Sequence, residues 1–300
     1  MDKKELIANE IMCSVQEKLG DGYSVTLSRV LKNNSLALTG LIITKNGENV
    51  SPTIYIDDYI DSYEDASLEQ ITNTIIDTCF DAPTDFDISQ FKDFNWVKGK
   101  IIYQFINTAC NEELLKDIPY VPYLDLSIVF RVIIDINEDG EMASILIHNS
   151  HLEMWNVTTE TVYKIAEENT PVLLPAKIIS ILDIIKKHHP EAASLSDDYD
   201  FEHEACPMYV LSNLRNLQGS ICVKYPNILS DFAESTDSNL YVLPSSTHEV
   251  ILVPDSRTQQ TPEKLRDMVR DVNRTSVSRE EFLSDNIYFF SRKTQELTQI

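Results

Sequence analysis

Glycine is scarce in this chain: seven among 300 residues, at positions 20, 22, 40, 47, 99, 140 and 219. They never cluster into the loop that lets backbone amides approach a pyrophosphate, which excludes a dinucleotide-binding fold and a P-loop. There is no Gly-x-Ser-x-Gly elbow, no Cys-x-x-Cys pair and no His-Glu-x-x-His, since His248-Glu249 is followed by Val250, Ile251 and Leu252. The standard signatures of serine hydrolases and zinc enzymes are thus missing. No apolar run approaches the roughly 18 residues of a membrane span, and Met1-Asp2-Lys3-Lys4-Glu5 opens an acidic, amphipathic segment unlike a signal-peptide core. The expected location is the cytoplasm, with no membrane partner. Basic residues are also few: 25 Lys and Arg against 48 Asp and Glu, a net charge of −23. A phosphate-tracking surface needs local positive potential, so direct nucleic-acid binding is not expected. The five cysteines (Cys13, Cys79, Cys110, Cys206, Cys222) are odd in number and widely spread, which suits reduced thiols and no disulfide framework.

The acidity is uneven. Residues 1–90 hold sixteen acidic and six basic residues, a net of −10, whereas 211–300 carry only −2. Solubility accounts for much of such an excess, and a basic protein is the partner class it would attract.

Hydrophobic spacing predicts an α+β protein with antiparallel and mixed sheets and flanking helices. Ile7, Ile11, Val15 and Leu19 stand four apart, with Met12 alongside, on the apolar face of a helix over 3–19 that Gly20-Asp21-Gly22 stops. Strand-like segments near 23–31, 36–44 and 50–57 follow, divided by Lys32-Asn33-Asn34 and Asn46-Gly47-Glu48, and read as an antiparallel meander. Ser67-Leu68-Glu69-Gln70 is a capping box opening a helix to about Phe80. The first lobe is therefore αβββα over 1–90, with a larger α+β lobe of mixed sheets over 91–300. In that lobe the pattern predicts a strand near 100–107, a short helix over 112–116, and a hairpin of 124–136 with 142–148 around Asn137-Glu138-Asp139-Gly140. Helices are expected from Thr158 to Asn169 and over 176–188, then a polar surface loop over 190–205. Strands are expected at 208–212, 240–243 and 249–253, with a helical turn at 226–234. Thr261-Pro262 starts a helix whose buried face is Leu265, Met268, Val269 and Val272, Ser278-Arg279-Glu280-Glu281 offers another capping box, and 287–290 closes the fold as a strand.

Four constellations could carry chemistry. His148-x-x-His151 and His203-x-x-Cys206 supply the side chains a tetrahedral zinc ion prefers, and zinc is the one cofactor the sequence suggests. Residues three apart on a strand point to opposite faces, so His148 and His151 converge only if the chain turns at Asn149-Ser150; otherwise they are rim or core histidines. Asp57, Asp58, Asp61, Glu64 and Asp65, interleaved with Tyr55, Tyr59 and Tyr63, could dock a basic partner or imitate nucleic acid. They lack the alternating aspartates and central glycine of a calcium loop, and also suit a solvated turn ahead of a helix N-terminus. Ser245-Ser246-Thr247-His248-Glu249 places hydroxyls beside an imidazole, but a strand turn explains it as simply. Arg266, Arg270 and Arg274, interleaved with Asp267 and Asp271, suit i,i+4 surface pairs rather than an anion site.

Several stretches carry a resemblance: Tyr123-Leu124-Asp125-Leu126-Ser127-Ile128-Val129-Phe130, Ser144-Ile145-Leu146-Ile147-His148-Asn149-Ser150-His151-Leu152, and Leu243-Pro244-Ser245-Ser246-Thr247-His248-Glu249-Val250. With Met208-Tyr209-Val210-Leu211-Ser212-Asn213 and the helix through Met268–Asn273, the chain resembles an uncharacterised, domain-of-unknown-function family of Gram-positive anaerobic bacteria over nearly its whole length. That resemblance implies no activity, ligand or site residue. The reading that follows is an acidic protein-interaction or regulatory module, with a metal-dependent hydrolase at the His/Cys residues and a nucleic-acid mimic as alternatives.

Overall fold

A computed structural model describes residues 3–47, 53–63, 66–81, 88–136, 142–188 and 207–300. The chain clusters into two compact units, Met1–Phe91 and Lys92–Ile300. The fold is α+β, and every strand pairing in it is antiparallel.

In the first unit, helix α1 (Lys3–Leu19) buries Ile7, Ala8, Ile11 and Val15 on one face. Gly20, with φ of 68°, takes a left-handed turn after it. Strands β1 (Tyr23–Leu31) and β2 (Ala37–Lys45) pair in unbroken register from Tyr23↔Lys45 to Leu31↔Ala37, and β3 (Thr53–Tyr55) joins the far edge of β2. Asn34 and Ser35 supply the positive φ that the connecting turn requires. The Gln16 amide clasps helix to sheet: Nε2 donates to the Tyr23 carbonyl at 3.0 Å and Oε1 accepts from the Val25 amide at 2.9 Å. After short α2 (Asp57–Asp61), α3 (Leu68–Asp81) begins on the expected box: the Ser67 amide donates to Gln70 Oε1 at 3.1 Å, and the Gln70 amide donates to Ser67 Oγ at 3.2 Å. Ile71, Ile75 and Cys79 of α3 meet Leu41, Ile43, Ile54 and the α1 face in one apolar core. The Asn46-Gly47-Glu48 turn runs out of the described residues at Glu48.

Short α4 (Ile88–Lys92) runs up to the division between the units, and α5 (Phe94–Val97) is the first helix of the second. Its first sheet holds β4 (Ile101–Asn107), β5 (Tyr120–Tyr123), β6 (Leu126–Ile136) and β7 (Met142–Leu146). Strand β6 has β4 on one edge; β5, at 126–129, and β7, at 131–136, share the other end to end. The turn expected at Asn137–Gly140 lies outside the described residues. The open edge of β4 is covered by helix: after α6 (Asn149–Trp155), α7 (Thr159–Leu173) receives the Tyr103 amide on Thr170 Oγ1 at 3.1 Å and donates from Asn169 Nδ2 to the Lys98 carbonyl at 2.7 Å. This side-chain cover makes β4 buried at every position.

The second sheet has six strands: β8 (Ala176–Ser180), β9 (Tyr209–Asn213), β10 (Leu240–Pro244), β11 (Val250–Pro254), β12 (Tyr288–Ser291) and β13 (Glu296–Gln299), in the order β13-β12-β10-β11-β9-β8. Helices α8 (Ile181–His188) and α9 (Ile228–Ser235) lie between its strands in sequence, and α10 (Pro262–Ser276) packs Leu265 and Val269 on Leu243, Val253 and Ile287. Alternation of helix and strand suggested mixed sheets here, but every pair of neighbouring strands in this sheet is antiparallel.

Four expectations need correction. Residues 176–180 are strand rather than the first turn of a helix, because pairing with β9 outweighs local helix preference. Helix α7 runs through Pro171 instead of ending at Asn169, since a proline in the last turn forfeits only one amide bond. Met268 and Val272 are 39% and 41% exposed, so α10 buries a narrower stripe than its spacing suggested. Ser278 Oγ does accept the Glu281 amide at 3.2 Å, yet no helix follows, because the chain turns inward to bury Leu283 and Ser284.

Candidate functional site

The chain turn at Asn149 converts the two histidines from a strand pair into a helix-cap pair. Strand β7 ends at Leu146, and His148 occupies the N-cap of α6 with φ −100° and ψ 163°. His151, one helical turn on, therefore swings beneath it, the rings meeting edge to face with centroids 5.5 Å apart. The His148 amide donates to His151 Nδ1 at 3.1 Å. That bond fixes the neutral His151 tautomer with its proton on Nε2, so neither ring nitrogen presents a free lone pair for a metal. His151 is held below its ordinary pKa by burial first and by the neighbouring His148 second, with Asp117 opposing.

His148 differs. Its Nδ1 lies 2.7 Å from Asp117 Oδ2, and in the tautomer that donates Nδ1–H to this carboxylate the lone pair is on Nε2; the His148 side chain also accepts the His151 amide in the capping box of α6. Asp117 is set by its backbone, whose carbonyl accepts the Asn149 amide at 2.9 Å. His203 and Cys206 lie outside the described residues, and among the described residues no three His, Cys, Asp or Glu side chains converge on a metal geometry. Burial disfavours the thiolate in three cysteines: it raises the thiols of Cys79 and Cys110 and pushes Cys222 up to about 12. Cys13 is exposed, contrary to the apolar setting its neighbours suggest.

The acidic run divides by role. Asp57 faces the fold: Oδ2 accepts the Thr39 amide at 2.7 Å and Oδ1 the Thr39 hydroxyl at 3.3 Å, tying α2 to β2. Asp61 pairs with Lys4 at 2.7 Å. Asp58, Glu69 and Asp77 are exposed with no cationic partner among the described residues, while Glu64 and Asp65 lie outside them. Between Lys45 and Lys92 the chain carries eleven acidic residues and no lysine or arginine.

The serine-histidine stretch is a pinned turn. His248 Nδ1 accepts the Gln218 amide at 3.1 Å, its Nε2 is 3.4 Å from Glu281 Oε1, and Ser246 Oγ accepts the His248 amide at 3.0 Å. Ser245 Oγ donates to Glu249 Oε1 at 3.4 Å, so these hydroxyls serve the turn and its carboxylate rather than the imidazole. On α10, Arg274 pairs with Asp271 at 3.1 Å, a spacing of three residues instead of four.

Two polar centres escaped sequence reasoning. Asp117 is the orienting partner of His148 from 31 residues upstream, and nothing local announces it. Asp125 sits in the β5–β6 turn, where Oδ2 accepts from Ser284 Oγ at 2.6 Å and Asn286 Nδ2 at 3.0 Å while Oδ1 accepts from Tyr288 OH at 2.7 Å. A lone aspartate between Leu124 and Leu126 was the available signal. Burial first, then the Asp125 charge, raises the Tyr288 phenol above its ordinary value.

A family model spans residues 5–292. The chain belongs to DUF5688, a family of unknown function. No curated protein and no solved structure matches this DUF5688 chain. No described helix of it is long and apolar enough to cross a membrane.

Proposed function

We propose that the chain is a protein-interaction or regulatory module whose N-terminal unit docks a basic protein. The observation that carries this reading is the exposed, unpaired set Asp58, Glu69 and Asp77 within the cation-free stretch between Lys45 and Lys92. Uncompensated like charges on one compact unit raise a negative potential that steers cations and speeds association. Asp57 and Asp61, engaged by Thr39 and Lys4, hold the unit's own structure. The test is a triple variant, Asp58→Asn, Glu69→Gln, Asp77→Asn, titrated with a lysine-rich peptide at low salt. At about 0.5 kcal/mol per exposed pair, affinity falls about tenfold. Unchanged affinity would remove the acidic surface as the docking site. Nucleic-acid mimicry is the narrower form of this reading and requires duplex DNA to compete with the chain for its partner.

A second reading, a metal-dependent hydrolase, is favoured by the Asp117–His148 couple at 2.7 Å, the carboxylate-to-imidazole arrangement that commonly backs a metal ligand. In it His148 supplies a nitrogen, His203 and Cys206 supply further ligands, and His151 caps α6. Elemental analysis of untagged protein is expected to find zinc near stoichiometry, lost in both His148→Ala and Cys206→Ala. Protein that is metal-free when purified without chelators sinks this reading.

A further inference from the structure

The six-stranded sheet ends on β8, whose outer edge pairs with no other strand among the described residues, and the atoms on that edge follow from the bonds on its other side. The Leu214 amide donates to the Pro175 carbonyl at 2.9 Å, and the Ile181 amide to the Met208 carbonyl at 3.0 Å. In the register of β8 with β9 these are the pairs flanking Ala176↔Asn213 and Ser180↔Tyr209. Antiparallel ladders alternate, so residues 175, 177, 179 and 181 bond inward to β9. The amides of Ala176, Ile178 and Ser180 and the carbonyls of Ala176 and Ile178 therefore point away from the sheet, and no described strand takes them; the Ser180 carbonyl precedes α8 and serves that helix's first turn. On β4, by contrast, Thr170 of α7 accepts the Tyr103 amide and Asn169 donates to the Ile101 carbonyl at 3.1 Å.

Two further features lie near the start of β8. Val172 and Leu214, 75% and 64% exposed, are the most exposed large hydrophobic side chains among the described residues. Both stand at the start of β8: Leu214 is bonded to Pro175, and Val172 is three residues before it. Two cations also stand near this edge. Lys177 on β8 and Arg215 beside Leu214 have no acidic partner among the described residues, in a protein of net charge −23.

We propose that β8 is a docking edge for an extended, acidic segment of a partner protein, which adds as a further strand with apolar side chains resting on Val172 and Leu214. Main-chain bonds to Ala176, Ile178 and Ser180 supply affinity, while Lys177 and Arg215 select acidic sequences. A second copy of this chain is a poorer occupant, because pairing β8 with itself would bring the same cations together.

The probe is a synthetic peptide of alternating glutamate and valine, with a lysine-valine counterpart as control, titrated by fluorescence anisotropy. Binding of the glutamate peptide, at least tenfold tighter than the lysine one, is expected. It should be lost when alternate peptide amides are N-methylated in one parity and kept in the other, since only every second amide of an added strand meets β8. The double variant Lys177→Glu, Arg215→Glu, both at half-exposed positions, should invert the preference between the two peptides. Equal loss from either methylation parity, or no preference for glutamate, overturns the proposal. So does hydrogen-exchange protection of the Ala176, Ile178 and Ser180 amides in the peptide-free protein, because the edge would then be covered by the chain itself or by a second copy.

Discussion

Gly219→Ala is expected to destabilise the larger unit by about 3 kcal/mol, the upper end of ordinary overpacking. A methyl group at this position would lie 2.2 Å from Ser212 Oγ, 2.5 Å from the His248 carbonyl oxygen and 2.8 Å from the Asn213 amide nitrogen. The serine hydroxyl can rotate away, but the other two atoms belong to the backbone of β9 and of the turn that His248 pins. The contact can be relieved only by moving one of them, which breaks the hydrogen bond from Ser212 Oγ to the His248 carbonyl at 2.7 Å. In a unit of about 200 residues this loss lowers the melting temperature by about 6–12 °C. Adding Ser212→Ala should restore little, because the backbone clashes remain. A double variant that regains wild-type stability, measured by denaturant titration, would show that the serine alone made the position tight.

Asp125→Ala is expected to have a comparable effect, about 3 kcal/mol, for a different reason. Its carboxylate is the common acceptor for Ser284, Asn286 and Tyr288, and both Ser284 and Tyr288 are buried. Hydrogen bonds to a charged group contribute about 1.5–3 kcal/mol each, discounted here because Asp125 itself is only half-buried, and donors left behind in the interior keep their desolvation cost. The same carboxylate steadies the turn next to Leu124, whose φ of 55° is unfavourable for a leucine. Asp125→Asn keeps an acceptor oxygen and should lose about half as much. Tyr288→Phe made in the Asp125→Ala background should then cost nothing further in hydrogen bonding, and if it costs as much as in the wild type, the phenol is not held by Asp125.

Local signals carried much of the fold. The apolar stripe of α1, the Ser67–Gln70 box, the meander β1-β2-β3 and the Thr261 cap with Pro262 at the first helical position are each decided by residues within a turn or two of one another. Strand β5 was illegible, because Pro119 and Pro122 break its alternation and its two-residue turn, Leu124-Asp125, lacks the Asn-Gly or Asp-Gly pair that announces a hairpin. The apparent strand from Leu124 onward hid that turn. Strand β13 was missed because its alternation is exposed and weak, and only pairing with β12 makes it a strand.

The candidate sites divide the same way. Sequence alone determined that this is an acidic α+β chain without phosphate-binding loops or familiar hydrolase and zinc signatures, because composition and short-range spacing are properties of neighbours along the chain. It also pointed to His148, His151 and the 57–65 aspartates, since those residue types are conspicuous wherever they stand. Tertiary structure alone decided what each one does. Asp57 accepts from Thr39 and Asp61 pairs with Lys4, while Asp58 has no cationic partner among the described residues; His151 accepts the His148 amide; His148 faces Asp117; and among the described residues no strand pairs with the outer edge of β8, whereas Thr170 of α7 accepts the Tyr103 amide of β4. The physical reason is that a hydrogen bond acts over about 3 Å in space regardless of separation in sequence, so a side chain's role is set by partners that only folding brings within reach.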